Sequence, residues 1–441
     1  MSNKKDINEN DLLQDIDREK LFSEINDNKM KDSDKSSFVE AIMGNYFLDN
    51  DNINFLEDYG YGFWKYLDNE KCICLSDKKF KDCCKKKMKR QKGFEFVSLV
   101  ESLDSEETYK KYLSDASVNL NKIIEKNIQE SKCSFPDCDK KAIENFLYDF
   151  SNIKNNYLSV VKKNILDTRF TMGENFFQPV ESEMFSFFGF CEEHDNLTSL
   201  ESLKLDLNSS QLSIAMFNYR NLAYKKSRLE NFYQTIYEEF IDNYLNVSKE
   251  GYQAMMVFKL RRTINSILAI RNMFEKLKEA IKNNDFKEFN FQSFELKKQD
   301  NFVVRDLIYF QVTPKSYTVI NSVNNPLINE DIALISLFQV KKSSIVQFMY
   351  LKRSSKIESY FQEWKEINED KLNNLESWVT NNALILTDNI LISQKMWSKL
   401  SHEDKILYSA LNKFRFENPK PGQEFIKMKF FAGFQKGSNF F

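Results

Sequence analysis

Residues 71–87 read KCICLSDKKFKDCCKKK, which places Cys72, Cys74, Cys83 and Cys84 within thirteen positions. Four thiols this close together form a ligand set for zinc, which takes four sulfur or imidazole donors tetrahedrally; a closed four-residue set leaves no position for substrate water. The remaining cysteines are Cys133, Cys138 and Cys191, and His194 stands three positions after the last of them. Seven thiols and one imidazole divide into two sets of four, so two zinc ions per chain are expected. A disulfide framework is the rival arrangement. It is disfavoured because the chain is 441 residues long, opens without an apolar signal segment and confines its cysteines to two clusters. Reducing, cytoplasmic surroundings are the matching expectation.

Cys72-Ile73-Cys74, the eight residues 75–82 and Cys83-Cys84 reproduce the C-x-C, eight-residue, C-C pattern of the SEC-C motif, and Lys78-Lys79-Phe80-Lys81 stands at its basic aromatic centre. The stretch therefore resembles that small zinc module, best known at the tail of the bacterial preprotein translocase motor. Where the family carries Gly-Ser-Gly, this chain has Leu75-Ser76-Asp77, so its turn must be made without glycine. From residue 78 to residue 92 there are nine basic residues, Lys78, Lys79, Lys81, Lys85, Lys86, Lys87, Lys89, Arg90 and Lys92, against Asp82 alone. A cationic knob with Phe80 exposed or half-buried at its centre is expected, suited to phosphate backbones, with Phe80 free to stack on unpaired bases.

The whole chain carries no such field. Its net charge is −2, from 63 basic and 65 acidic residues, so any electrostatic partner must be met by a local patch. No apolar run approaches the length of a membrane span, and a soluble protein is expected. Ten glycines, none between Gly251 and Gly422, exclude a glycine-rich phosphate cradle from the C-terminal half. Forty Phe and 19 Tyr favour helices and aromatic cores.

The pattern predicts an α+β protein, largely helical, with two small zinc modules and a C-terminal antiparallel sheet flanked by helices. Residues 1–35 are polar and read as a flexible arm. Residues 36–130 form a helical region carrying the first module (71–92) and ending in a helix from Ser105 to about Glu130, with Leu120, Ile123 and Ile128 on its apolar stripe. The second zinc module occupies 131–208, and a helical hairpin occupies 209–286, turning at Asn246 to Gly251. Residues 287–441 alternate, with strands expected at 302–304, 307–312, 317–320, 332–340 and 344–350, four or five in all, then helices from Ser355 and Ser401 and an aromatic tail.

Cys133-x4-Cys138 with the distant Cys191-x2-His194 is the ligand order of a treble-clef finger, and a helix is expected from Glu192 to Leu203. Ala142-Ile143-Glu144-Asn145-Phe146, Phe187-Phe188-Gly189-Phe190-Cys191-Glu192-Glu193-His194-Asp195, Tyr219-Arg220-Asn221-Leu222 and Ser393-Gln394-Lys395-Met396-Trp397 together resemble an uncharacterised bacterial family, spanning about 130–400, often encoded among phage-defence genes and carrying an HNH-like treble clef. Phe146 stands where that family has a histidine, and phenylalanine can neither accept a proton nor hold a metal. His402 lies in a capping box, Ser401-His402-Glu403-Asp404, and Asp285 with Glu295-Leu296-Lys297 is a chance-level nuclease pattern. The sequence thus points to a non-catalytic zinc protein whose lysine-rich module engages nucleic acid or the ribosome. The alternatives are a protein-interaction adaptor and an HNH-related nuclease with an unrecognised site.

Overall fold

The computed structural model describes residues 66–90, 106–150, 156–161, 175–206, 208–247, 250–297, 302–310, 313–316, 318, 320–321, 331–340, 343–368, 379, 383 and 386–414. The N-terminal arm, the helical stretch expected at 36–65, Lys92 and the aromatic tail lie outside them. In chain order the helices are α1 (Glu106–Glu130), α2 (Glu192–Leu197), α3 (Leu200–Leu203), α4 (Gln211–Asn243), α5 (Glu250–Asn283), α6 (Ser355–Asn368), α7 (Gln394–Trp397) and α8 (His402–Phe414). The strands are β1 (Glu144–Phe146), β2 (Tyr157–Ser159), β3 (Gln178–Pro179), β4 (Ser186–Phe188), β5 (Phe289–Lys297), β6 (Phe302–Ile308), β7 (Ala333–Gln339), β8 (Ser343–Leu351) and β9 (Ile390–Ser393).

Helices α4 and α5 are the spine. Ser210 caps α4 by accepting the Ser213 backbone N–H at 3.2 Å, and 33 residues follow without glycine or proline. The few residues between the two helices force α5 back along α4, and its stripe of Val257, Leu260, Ile267, Ile270, Met273, Phe274 and Leu277 is buried. The end of α5 is fixed by Asn284 at φ 49°, whose N–H bonds to Ile281 O while Asp285 N bonds to Ala280 O. That pair of bonds is a Schellman stop, made by asparagine, which tolerates the left-handed region. No described helix is long and apolar enough to cross a membrane.

A seven-stranded antiparallel sheet has the order β3-β2-β9-β6-β7-β8-β5. One face, with Val304, Val346, Phe348 and Tyr350, packs on Ile357, Tyr360, Phe361 and Trp364 of α6 and on Trp397 and Tyr408. The other face, with Leu307, Leu334, Met349 and Leu391, packs on Tyr219, Leu222, Phe274 and Leu277 of the spine. Because helices cover both faces, every residue of β8 is buried, and from Ile345 to Leu351 the sequence is apolar on both faces apart from Gln347.

The α+β class with an antiparallel sheet is therefore observed, and its details differ from expectation. The expected runs at 302–304 and 307–312 are joined in one strand, β6, as far as Ile308, and Thr313 N bonds to Thr318 O, closing a turn where the next run was expected to begin; residues 311, 312, 317 and 319 lie outside the described residues. Among the described residues the sheet has seven strands, against the four or five expected. It gains β5, β9, and the two short strands β2 and β3 from the 131–208 region, so it draws on both sides of the boundary read at 208. The helix expected from Glu192 to Leu203 breaks after Leu197, where the Thr198 hydroxyl bonds back to His194 O and receives Arg220, and resumes at Leu200.

Candidate metal centres

The first centre is built from turns. Cys72 and Cys74 lie in a knuckle closed by Leu75 N to Cys72 O at 2.9 Å, with Cys72 N held by Lys78 O at 2.8 Å. Leu75 sits at φ 61°, in the left-handed region where the SEC-C pattern has glycine. The turn is made without glycine at a cost of about 1–2 kcal/mol. Two 3-10 turns, Phe80–Asp82 and Cys84–Lys87, deliver the other two sulfurs. The four ligand atoms lie within 4.8 Å of one another, and Cys74 Sγ is 3.6 Å from Cys83 Sγ. A disulfide needs about 2.05 Å, whereas a tetrahedron with 2.3 Å metal–sulfur bonds has edges of about 3.8 Å. All seven cysteines are free thiols.

Phe80 is 3% exposed. This corrects the expectation of an exposed or half-buried aromatic: so small a module must spend its own phenylalanine on its core, and Phe80 packs edge-on against Tyr66 at 4.9 Å. Stacking on bases is closed to it. The module is seated on the spine, since Cys72, Ile73, Phe80, Cys84 and Met88 share a core with Tyr233, Ile236, Phe240, Val257 and Leu260. Tyr233 Oη donates to Ile73 O, Tyr237 Oη lies 3.3 Å from Cys84 Sγ, and Arg261 pairs with Glu70 at 2.8 Å.

Around this core the cations point outward. Lys78, Lys79, Lys81, Lys85, Lys86, Lys87, Lys89 and Arg90 are all exposed. Lys85 pairs with Asp68 at 2.6 Å, and the other seven form no ion pair with a described residue.

The second centre joins a knuckle, a two-stranded ribbon and a helix. Cys133 N bonds to Lys140 O at 2.8 Å, and Asp137 takes the left-handed turn at φ 56° before Cys138. Strands β1 and β4 pair antiparallel, Glu144 with Phe188 through Phe146 with Ser186. Cys191 is the N-cap of α2, so His194 projects from the helix's first turn. Cys133 Sγ and Cys191 Sγ lie 3.4 and 3.3 Å from His194 Nδ1, and Cys138 Sγ lies 3.9 Å from Cys191 Sγ, again tetrahedral edges. Phe135 stacks on the imidazole at 4.0 Å. Burial keeps His194 below its ordinary value, hence neutral and able to ligate, while it pushes the Cys133 thiol up to about 12. A metal must displace such protons, so affinity falls as pH falls.

Asn145, buried, accepts from Gly189 N at 3.0 Å and Phe190 N at 2.7 Å, and Gly189 O accepts from Ser134 N at 2.7 Å. Gly189 is required by its neighbour's side chain: a Cβ there meets the Phe187 ring at 2.6 Å. Gly189→Ala is expected to cost about 1–3 kcal/mol by overpacking, read as a lowered urea midpoint with the first centre's metal retained. An unchanged midpoint rules the clash out.

Arg220, buried in α4, donates to Asp195 Oδ1 at 2.6 Å, to Phe146 O at 2.6 and 2.8 Å and to Thr198 Oγ1 at 3.2 Å, fastening α2 and β1 to the spine. Tyr219 Oη donates to Ser134 O at 2.5 Å. Neither residue's role is readable from spacing, although both fall in the run Tyr219–Leu222 of the family resemblance. Phe146 contributes its carbonyl here, and its ring meets Phe150 at 5.9 Å. His402 is exposed at the start of α8, where Ser401 Oγ accepts Asp404 N at 3.1 Å. Asp285 pairs with Lys287 at 2.7 Å and Glu295 lies in β5 opposite Ile345; among the described residues neither joins a group able to hold a metal.

Two such groups exist among the described residues, Cys72, Cys74, Cys83 and Cys84, and Cys133, Cys138, Cys191 and His194, and each could hold a metal ion. No protein family, no curated protein and no solved structure matches the chain, so the SEC-C and HNH-like resemblances rest on the residue patterns that carry them, of which the structure brings together the two ligand groups.

Proposed function

We propose that this is a cytoplasmic protein with two structural zinc ions, without catalysis of its own, that engages the phosphate backbone of nucleic acid, free or in the ribosome, through its first zinc module. Phage defence is the setting that the family resemblance suggests. Thiolate and imidazole donors in closed tetrahedral sets suit zinc, and a closed set leaves no position for an activated water.

The observation that carries the nucleic-acid reading is the contrast between the two modules. Seven exposed cations of the first form no ion pair with a described residue. In the second, Lys132 faces Asp139 at 3.9 Å, Lys140 pairs with Glu193 at 2.8 Å and Lys282 pairs with Asp137 at 2.8 Å. Free cations attract polyanions, whereas paired ones present little field. With Phe80 buried, the contact is electrostatic and weakly sequence-selective.

The test is salt dependence. The log-log slope of affinity against salt is expected to be about −0.7 to −0.9 per phosphate contacted. Replacing Lys86, Lys87, Lys89 and Arg90 with glutamine is expected to flatten it by roughly three, in the same units, with zinc content unchanged. Equal binding of RNA and DNA by parent and variant at every salt concentration overturns the proposal and leaves the protein-adaptor alternative in its place.

A further inference from the structure

We infer that Tyr237 is a positioning residue of the first metal centre, its hydroxyl donating a hydrogen bond to the Cys84 thiolate and thereby offsetting the negative charge of a buried four-sulfur site. The inference rests on the metal reading above and goes beyond it, because it assigns a residue of α4, 153 positions away in sequence, to the chemistry of the sulfur.

Four thiolates around a divalent ion carry a net charge of −2, whereas three thiolates and an imidazole carry −1. Charge that is buried without donors is costly. Cys84 is 0% exposed, so water cannot supply a donor there. Two hydroxyls stand at this centre: Ser76 Oγ, 3.2 Å from Cys74 Sγ and 3.8 Å from Cys83 Sγ, and Tyr237 Oη, 3.3 Å from Cys84 Sγ. A metal-bound thiolate has no proton, which fixes the phenol as the donor. Among the hydrogen bonds described above, the second centre has no hydroxyl on sulfur; its ring ligand is stacked on Phe135 instead.

The neighbouring tyrosines define the control. Tyr219, Tyr233 and Tyr237 are spaced by 14 and 4 residues, close to whole turns, so they lie on one face of α4. Tyr219 and Tyr233 donate to backbone carbonyls of the two knuckles, Ser134 O and Ile73 O, and Tyr237 meets a ligand sulfur. Removing the Tyr233 hydroxyl disturbs the seat of the module; removing the Tyr237 hydroxyl disturbs the sulfur.

The experiment uses the full chain as zinc and cobalt forms of the parent, Tyr237→Phe and Tyr233→Phe. Phenylalanine keeps the ring and its packing. In Tyr237→Phe, zinc release from the first centre to a chelator and alkylation of its thiolates are expected to quicken by about tenfold, the lower end of the effect of losing an outer hydrogen bond to a metal ligand. The sulfur-to-cobalt charge-transfer band is expected to shift, and the second centre should be unaffected. In Tyr233→Phe the band should stay in place. Full metal content with unchanged release and band in Tyr237→Phe overturns the inference, as does an equal response in both variants, which marks a packing effect. A parent whose first centre takes up neither zinc nor cobalt overturns the metal reading itself, and the inference with it.

Discussion

Purified Cys191→Ser protein is expected to carry one metal ion where the parent carries two, and to become protease-sensitive between residues 131 and 206 while residues 66–90 stay protected. Structural zinc contributes on the order of 10 kcal/mol to a small module. Its own regular structure is slight, since its strands β1 and β4 are three residues each and α2 is six. Cys191 stands at the N-cap of α2 without a side-chain capping bond, so the substitution acts through the metal: with one thiolate gone, the ion no longer ties His194 to Cys133 and Cys138. The first centre sits farther along α4, on Tyr233 and Tyr237, and keeps its own ligands. Native mass spectrometry with limited proteolysis checks this; a variant that retains two ions removes Cys191 from the ligand set.

Asp306→Ala is expected to destabilise the fold by about 3–5 kcal/mol, the range for breaking a buried pair by removing one partner. Asp306 is 1% exposed and accepts from Leu307 N at 2.6 Å, Asp388 N at 2.5 Å and Asn389 N at 2.8 Å, and it pairs with Lys225 of α4. One carboxylate thus ties β6, the approach to β9 and the spine together. Its removal takes a carboxylate acceptor from three backbone donors and the counter-charge from the Lys225 ammonium. Beside it, Arg305 donates to Leu147 O and Phe217 O, and burial, aided by the charge of Arg220, lowers its pKa to about 9. Urea unfolding of Asp306→Ala and of Asp306→Ala/Lys225→Met measures the loss, and the double variant should recover part of it because the stranded charge is gone. A loss under about 1 kcal/mol shows that the junction is held by other contacts.

What was legible in the sequence follows from how local each interaction is. Metal ligands announce themselves through short spacing, and all eight fall into the two groups that spacing defines. The long helices were legible because α4 and α5 each bury a stripe at the helical period. Strands were legible only where the run is long: β7 and β8 stand near the expected 332–340 and 344–350. Alternation begins at Phe289, but in β5 its phase shifts between Phe291 and Phe294, so no single run stood out there, and β2, β3 and β9 have two to four residues each, too few for a period. Phe80 was misjudged because its neighbours are lysines, whereas its burial is set by the scarcity of apolar side chains in so small a module. The tyrosine contacts to the knuckles join residues 85 and 160 positions apart, beyond any local pattern.

The middle of the sheet has a bearing on synthesis. Leu158 pairs with Ile392 and Phe302 pairs with the same residue from the other side, so β9 is the strand that joins β2 and β3 to the rest. Beyond its early pairing with β3, two hundred and more residues must leave the ribosome after β2 before its second partner, β9, exists, a loop closure of high contact order. Until then both β2 and β6 present bare strand edges, which are templates for pairing with other chains. The nascent protein can assemble its metal knuckles and helical spine early, but its sheet stays open until residue 393 has emerged, and any chain stopped short of β9 keeps those edges exposed.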